Sequence, residues 1–233
     1  MIDVTRSQPA PKSLANKKSY GGKDVRERLR ADFDGKCYLC ELPGPTDVDH
    51  LHGKGDLEHT WENLFPAHNA TCNQRRGPVR PTVGSLLDPS AGHGVEARLV
   101  QHFETNSANL GDIRVTFGPL DPTDQAAANT SGELNRIHTD HERHARDIRQ
   151  RIRGQWSEVQ TCICQLLFAL READREGTAV QRARLAGLLA PSAPCAGLIR
   201  AQMRRAYSPA QLEDLGIAQV LALPPARPAG TAT

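Results

Sequence analysis

Residues 68–76 read HNATCNQRR, setting His68, Cys72, two asparagines and two arginines within nine positions. Neither an amphipathic helix nor a surface loop requires that mixture, so the role of Cys72 decides how the neighbouring chain folds. Upstream, KCYLCE (36–41) carries Cys37 and Cys40 in a Cys-x-x-Cys turn. At that spacing two thiolates from one tight turn reach a single tetrahedral zinc, which then needs two more ligands. His68 and Cys72 stand four apart, so on a helix their side chains share a face. Cys37, Cys40, His68 and Cys72 are therefore expected to form a closed structural zinc site. The alternative is four reduced residues in ordinary packing.

Working outward, residues 24–34 repeat Val25, Leu29 and Phe33 every four positions, and Gly35 follows as a stop. That pattern predicts a short amphipathic helix. TDVDHL (46–51) alternates like a strand, and ENLFPAHNATCNQRR (62–76) reads as a short strand or turn leading into a helix. ARLVQHF (97–103) and DIRVTFG (112–118) predict two more strands after a Gly, Pro and Ser-rich loop. Residues 119–132 are turn-rich. Leu134, Ile137, His141, Ala145, Ile148 and Ile152 then mark one face of a long helix. The pattern resumes after Gly154, as a kinked extension or a second helix. Further helices are expected near 178–190 and 196–206, and Ser208-Pro209 is an N-cap and first-turn pair for another.

The 233 residues are 38% hydrophobic and only 4% aromatic, so the core must be built mainly from Leu, Ile, Val and Ala, as in a helical protein. The expected class is α+β, mainly helical. Its organisation reads as a flexible basic arm (1–20), a core with the zinc site (21–80), a loop and short-strand extension (81–130), a helical region (131–222) and a disordered tail (223–233). No apolar run approaches the eighteen or so residues of a membrane span, and the N-terminal stretch is polar. A soluble, cytoplasmic protein with no membrane partner is expected, and its six cysteines read as metal ligands or reduced thiols. Net charge is +2, but residues 1–30 hold eight Lys or Arg against three acids and residues 81–140 three against eight. Such runs can be solvated faces, and they gain meaning only beside a site that handles nucleic acid.

Between the zinc ligands lie VDHL, with Asp49 and His50 adjacent, and WENL, with Asn63; Asn73 directly follows Cys72. Adjacent strand residues point to opposite faces, so a shared role for Asp49 and His50 implies an irregular backbone. CYLC, VDHL, WENL and AHNATCNQRRG, in that order, resemble the HNH endonucleases, whose ββα-metal core joins two strands, a helix and a catalytic cation. By that resemblance His50 is the general base that deprotonates water, Asp49 and Asn73 hold Mg²⁺, and Asn63 braces the loop that aims His50. Arg75 and Arg76 suit phosphate contacts or a solvated helix face. Family members with zinc usually carry a second Cys-x-x-Cys, where this chain has His68-x-x-x-Cys72.

A narrower resemblance spans roughly residues 19–153, through SYGGKDVRERLRADFDGKCYLCE, LVQHF, GDIRVTFGPLDP and GELNRIHTDHERHARDIRQRI. It is to the HNH subunits of Septu and retron-associated anti-phage systems, which act beside an ABC-type ATPase. Their usual Glu-His-Phe-x-Pro-Lys is Asp49-His50-Leu51-His52-Gly53-Lys54 here. The resemblance implies a metal-dependent endonuclease on DNA gated by the ATPase, and because no C₂H₂ finger or helix-turn-helix accompanies the core, little sequence preference is expected. A zinc-stabilised binding or adaptor module without cleavage, and a ribonuclease of the same fold, stay open. His52 and His59 read as polar surface flanking the site, and Cys162 and Cys164 as packed thiols, while Cys195 has no partner in sequence. Arg143, Arg146, Arg149, Arg151 and Arg153 form either a track for a nucleic-acid backbone or a solvated face.

Overall fold

The computed structural model describes residues 1–16, 19–76, 81–92, 94–105, 112–139 and 143–223. About 52% of the chain is helical, with two small antiparallel sheets, a mainly helical α+β architecture. His141 and the tail from 224 onward lie outside the described residues.

After a short α1 (Lys12–Ala15), Val25 and Leu29 of α2 (Lys23–Asp32) and the following Phe33 are all buried. Asp34 and Gly35 then take positive φ, 52° and 68°, and turn the chain into the Cys37–Cys40 loop. β1 (Asp47–His50) pairs antiparallel with β2 (Leu64–Ala67), with Asp49 opposite Phe65 and His50 opposite Leu64. A single wide π-helical turn, Asn69–Asn73, follows β2 directly.

The arm expected at residues 1–20 is instead packed. Met1, Ile2 and Leu14 are buried, and the Arg6 guanidinium lies 4.7 Å from the Trp61 ring centroid and 4.6 Å from that of Phe65. It also donates to the Trp61 and Leu64 carbonyls. A cation desolvated over aromatic faces contributes up to about 2 kcal/mol, enough to hold a segment that has no apolar periodicity.

α3 (Val95–Arg98) takes the residues expected to begin a strand, and leads into β3 (Leu99–Thr105), which pairs with β4 (Ile113–Pro119) as the alternation predicts. Leu99, Phe103, Ile113, Val115 and Phe117 all point into the core. α4 (Gln125–His138) covers β4 and starts earlier than expected, because the Asp124 carboxylate caps it by accepting from the Ala127 amide at 3.0 Å. Asn135 fastens the two elements, accepting from the Phe117 amide and donating to its carbonyl, each at 2.9 Å.

The single long helix expected from Leu134 to Ile152 divides in two. α4 ends at His138, and α5 runs from Arg143 to Arg171 without a break at Gly154. Its 29 residues extend about 43 Å. Glycine costs a helix about 1 kcal/mol. Ile148, Ile152, Val159, Ile163 and Leu166, buried on either side, offset that cost.

α6 (Arg175–Leu188) folds back on α5, and α7 (Ala196–Ala206) packs on β3. Ser208 caps α8 (Pro209–Asp214) in a full capping box with Gln211, and α9 (Ala218–Leu221) follows. Buried Glu96 ties α3 to α7, accepting from Arg200 at 2.9 Å and from Arg204 at 3.0 Å. No helix among the described residues is long and apolar enough to cross a membrane.

Candidate metal centre and strand-end histidine

The Cys37–Cys40 loop closes on itself: Glu41, at φ 56°, donates its amide to the Cys37 carbonyl, and the Cys37 amide donates to Leu42. The Tyr38 amide meanwhile donates to the Pro66 carbonyl, docking the loop on β2. His68 is not on a helix, as the four-residue spacing suggested. It precedes the π turn in extended conformation (φ −78°, ψ 123°). Its carbonyl accepts from the amides of both Cys72 and Asn73 at 3.0 Å. The widened turn absorbs the extra residue and still returns Cys72 to the loop.

The ligand atoms of Cys37, Cys40, His68 and Cys72 all lie within 4.8 Å of one another, and this group can hold a metal ion. Tetrahedral zinc–sulfur bonds of about 2.3 Å place sulfurs about 3.8 Å apart, within that span. The three cysteines are buried and His68 is half-buried. His68 Nε2 faces the Pro43 carbonyl at 3.2 Å, and a carbonyl only accepts, so Nε2 carries the proton. Nδ1 therefore faces the cluster, 3.4 Å from Cys40 Sγ; without metal its hydrogen bond to Cys37 raises the His68 pKa, and a bound cation would replace the Nδ1 proton and take the lone pair. Burial opposes ionisation of Cys37, but hydrogen bonds from Cys40, Cys72 and His68 outweigh it and hold that thiol well below its usual value. Cys40 and Cys72 are pushed up, Cys40 chiefly by burial and Cys72 chiefly by its hydrogen bond to Cys37. A soft cation bound here would draw on the three sulfurs and the imidazole together.

Asp49 and Asn73 do not come together as a pair of cation ligands. Asp49 is 1% exposed; its Oδ2 accepts from Arg76 and from the Tyr38 hydroxyl, both at 2.7 Å, and its Oδ1 from the His50 amide at 2.8 Å. Asn73 donates its side-chain amide to Asp47 at 2.8 Å. Asp47 lies on the same face of β1, about 7 Å from Asp49 by strand geometry. A buried carboxylate with a guanidinium and a phenol on one oxygen and a backbone amide on the other is a poor fit to Mg²⁺, which needs open oxygen ligands.

Arg76 departs from the phosphate-binding role as well. It is 3% exposed and spends its donors on Asp49, Tyr38 and the carbonyls of His50 and Leu51, as an internal clamp. Arg75 is half-buried. Arg149 leaves the expected basic stripe too, being buried against Asp112 at 2.9 Å and the His138 carbonyl at 2.8 Å. Cys162 and Cys195 are buried, whereas Cys164 is exposed.

His50, on the other face of β1, has its Nε2 3.0 Å from the Glu58 carbonyl. By the same acceptor argument Nε2–H donates, and Nδ1 presents a lone pair that no described residue fills. Burial lowers the His50 pKa, opposed by the Glu58 carbonyl and assisted by the Lys54 charge, so the ring is neutral at pH 7. Asn63, 3% exposed, braces the loop after β1, accepting from the His52 amide at 2.8 Å and donating to the Gly53 and Leu57 carbonyls. Two neighbours complete the surroundings: Tyr20, which no local pattern marks, edge-on to His50, and Lys54, the last residue of the Asp49–Lys54 stretch, on Tyr20. Comparison of the chain with models of protein families, with curated proteins and with solved structures finds no match.

Proposed function

We propose that the chain is a phosphodiester hydrolase of the HNH kind, acting on DNA with little sequence preference and stabilised by one structural zinc. The observation that carries the reading is His50. A neutral imidazole has one nitrogen fixed on a backbone carbonyl and the other presenting its lone pair, at a strand end braced by Asn63. Nδ1 would take the proton of a water as the oxygen adds in line to phosphorus, the opposite ester P–O bond breaks, and the leaving oxygen takes a proton from solvent. Zinc on Cys37, Cys40, His68 and Cys72 would supply a cross-link between the loop, β2 and the π turn, with no part in the chemistry. Mg²⁺ on Asp49 and Asn73 takes no part in this reading, because Asp49 is buried under Arg76 and Tyr38 and Asn73 turns to Asp47. The resemblance of residues 19–153 to HNH subunits of anti-phage systems extends the proposal to a cytoplasmic defence effector gated by an ABC-type ATPase.

A second reading, a zinc-stabilised nucleic-acid-binding module without cleavage, is favoured by the closure of Asp49 under Arg76 and Tyr38. Plasmid DNA and total RNA incubated with the purified chain, with and without divalent cations and any ABC-type ATPase encoded beside its gene, separate the two. Cleavage lost in a folded His50→Ala variant supports the hydrolase. Equal behaviour of the two proteins on every substrate refutes it, and cleavage of RNA alone makes the chain a ribonuclease.

A further inference from the structure

His50 is 3% exposed, so a base there meets a substrate only where its cover parts. Tyr20, on the turn before α2, forms part of that cover: its ring meets the His50 imidazole edge-on, with centroids 4.7 Å apart and planes at 74°. Lys54, in the loop that continues from β1, holds Tyr20 in turn. Its ammonium donates to the Tyr20 hydroxyl at 3.0 Å and lies 4.6 Å from the ring centroid. Two segments distant in sequence thus meet over the candidate base. Lys54 is exposed, and among the described residues no carboxylate pairs with it. A cation parked on a phenol, without a counter-ion and beside a general base, is suited to receive an anion.

We propose that Lys54 binds a non-bridging oxygen of the substrate phosphate beside His50, and that Tyr20 is the positioning residue that holds Lys54 ready and covers His50 until the phosphate draws the ammonium away. The inference rests on reading His50 as the general base of a phosphodiesterase. Lysine offers a point charge with three donors on a flexible stem, so it can exchange an aromatic face for a phosphate oxygen without rearranging the backbone. It makes and breaks no covalent bond. Its charge opposes the negative charge that builds on the phosphoryl oxygens as water adds.

The test uses the full chain with its metal. Binding of a short fluorescent DNA duplex is titrated over a range of salt in the His50→Ala background, and cleavage is followed in the unaltered background. Lys54→Met is expected to weaken binding roughly fivefold to tenfold at about 0.1 M salt and to lower the salt slope by about one, the signature of one lost phosphate contact. Lys54→Arg should restore most of both. Tyr20→Phe keeps the ring and loses only the hydroxyl, so KM should rise with kcat retained, whereas Tyr20→Ala should lower kcat at an unchanged melting temperature. Lys54→Met with unaltered affinity and slope overturns the proposal, as does an effect confined to RNA or an unaltered chain that does not bind the duplex. If Lys54→Met weakens binding but the unaltered chain cleaves nothing, the phosphate contact stands and the hydrolase reading falls.

Discussion

The Arg76 guanidinium stands 2.7 Å from the Asp49 carboxylate, and both side chains are 1% exposed. A charge pair this deep is costly to break from one side, because the surviving ion is left without water or partner. Arg76→Met should therefore destabilise the fold by about 3–5 kcal/mol, while the double variant Asp49→Leu, Arg76→Met recovers a large part of the loss. Urea unfolding midpoints measure both. A surface phosphate contact would show the opposite pattern, with weakened nucleic-acid binding and unaltered stability.

Metal content provides a second check. One tightly held zinc per chain is expected, and Cys37→Ser or a strong chelator should lower the melting temperature of the whole domain, since the cluster joins the Cys37–Cys40 loop to the π turn. Cys164→Ser, at an exposed position outside the cluster, should leave both zinc content and melting unaltered. A zinc-free chain with full stability would remove the metal from the account.

His138 predicts a dependence on pH. It is 1% exposed, its Nδ1 faces the Leu134 carbonyl at 2.8 Å, and burial pushes its pKa from 6.5 down to about 4. Between those values the unfolded chain binds a proton that the folded chain refuses. Stability is therefore lost as pH falls from about 6.5 to about 4, by about 3 kcal/mol in all, and then levels off. The His138→Leu variant should lose less stability than the unaltered chain across that window, and the difference between the two unfolding curves isolates the histidine from the acid-sensitive cysteine cluster.

Asn63 supports a fourth prediction. Its side chain satisfies the His52 amide and reaches two loop carbonyls, so Asn63→Ala leaves buried polar groups unpaired at a cost of about 1–3 kcal/mol. Under the hydrolase reading kcat should fall with it, because the same loop carries Glu58, whose carbonyl orients His50. Asn63→Asp keeps the acceptor for His52 but sets a buried carboxylate oxygen against the Gly53 and Leu57 carbonyls, so it should cost at least as much stability as Asn63→Ala.

Local patterns made much of this legible in the sequence. The four-residue rhythm of Val25, Leu29 and Phe33 gave away α2, the alternation through Phe103 and Val115 the second hairpin, and Ser208-Pro209 the start of α8. The Cys37, Cys40, His68 and Cys72 set was legible from spacing, although the helical reason offered for the last pair was not the one the backbone uses. What stayed hidden was the choice of long-range partner. Arg76 and Asp49 are 27 residues apart, and nothing around either one specifies the other. Arg6 reads as part of a polar arm until Trp61 and Phe65 are folded beneath it. The pairing of Asn73 with Asp47 rather than Asp49 depends on how far the turn before it unwinds.

That turn couples two properties that would otherwise vary separately. One carbonyl, that of His68, receives the amides of both Cys72 and Asn73. Shortening the spacer by one residue would ask Cys72 to keep its place while Asn73 rotates away from Asp47, so a change in metal-ligand spacing is read out as a change in strand-edge chemistry. Spacer length here acts as a dial on side-chain aim.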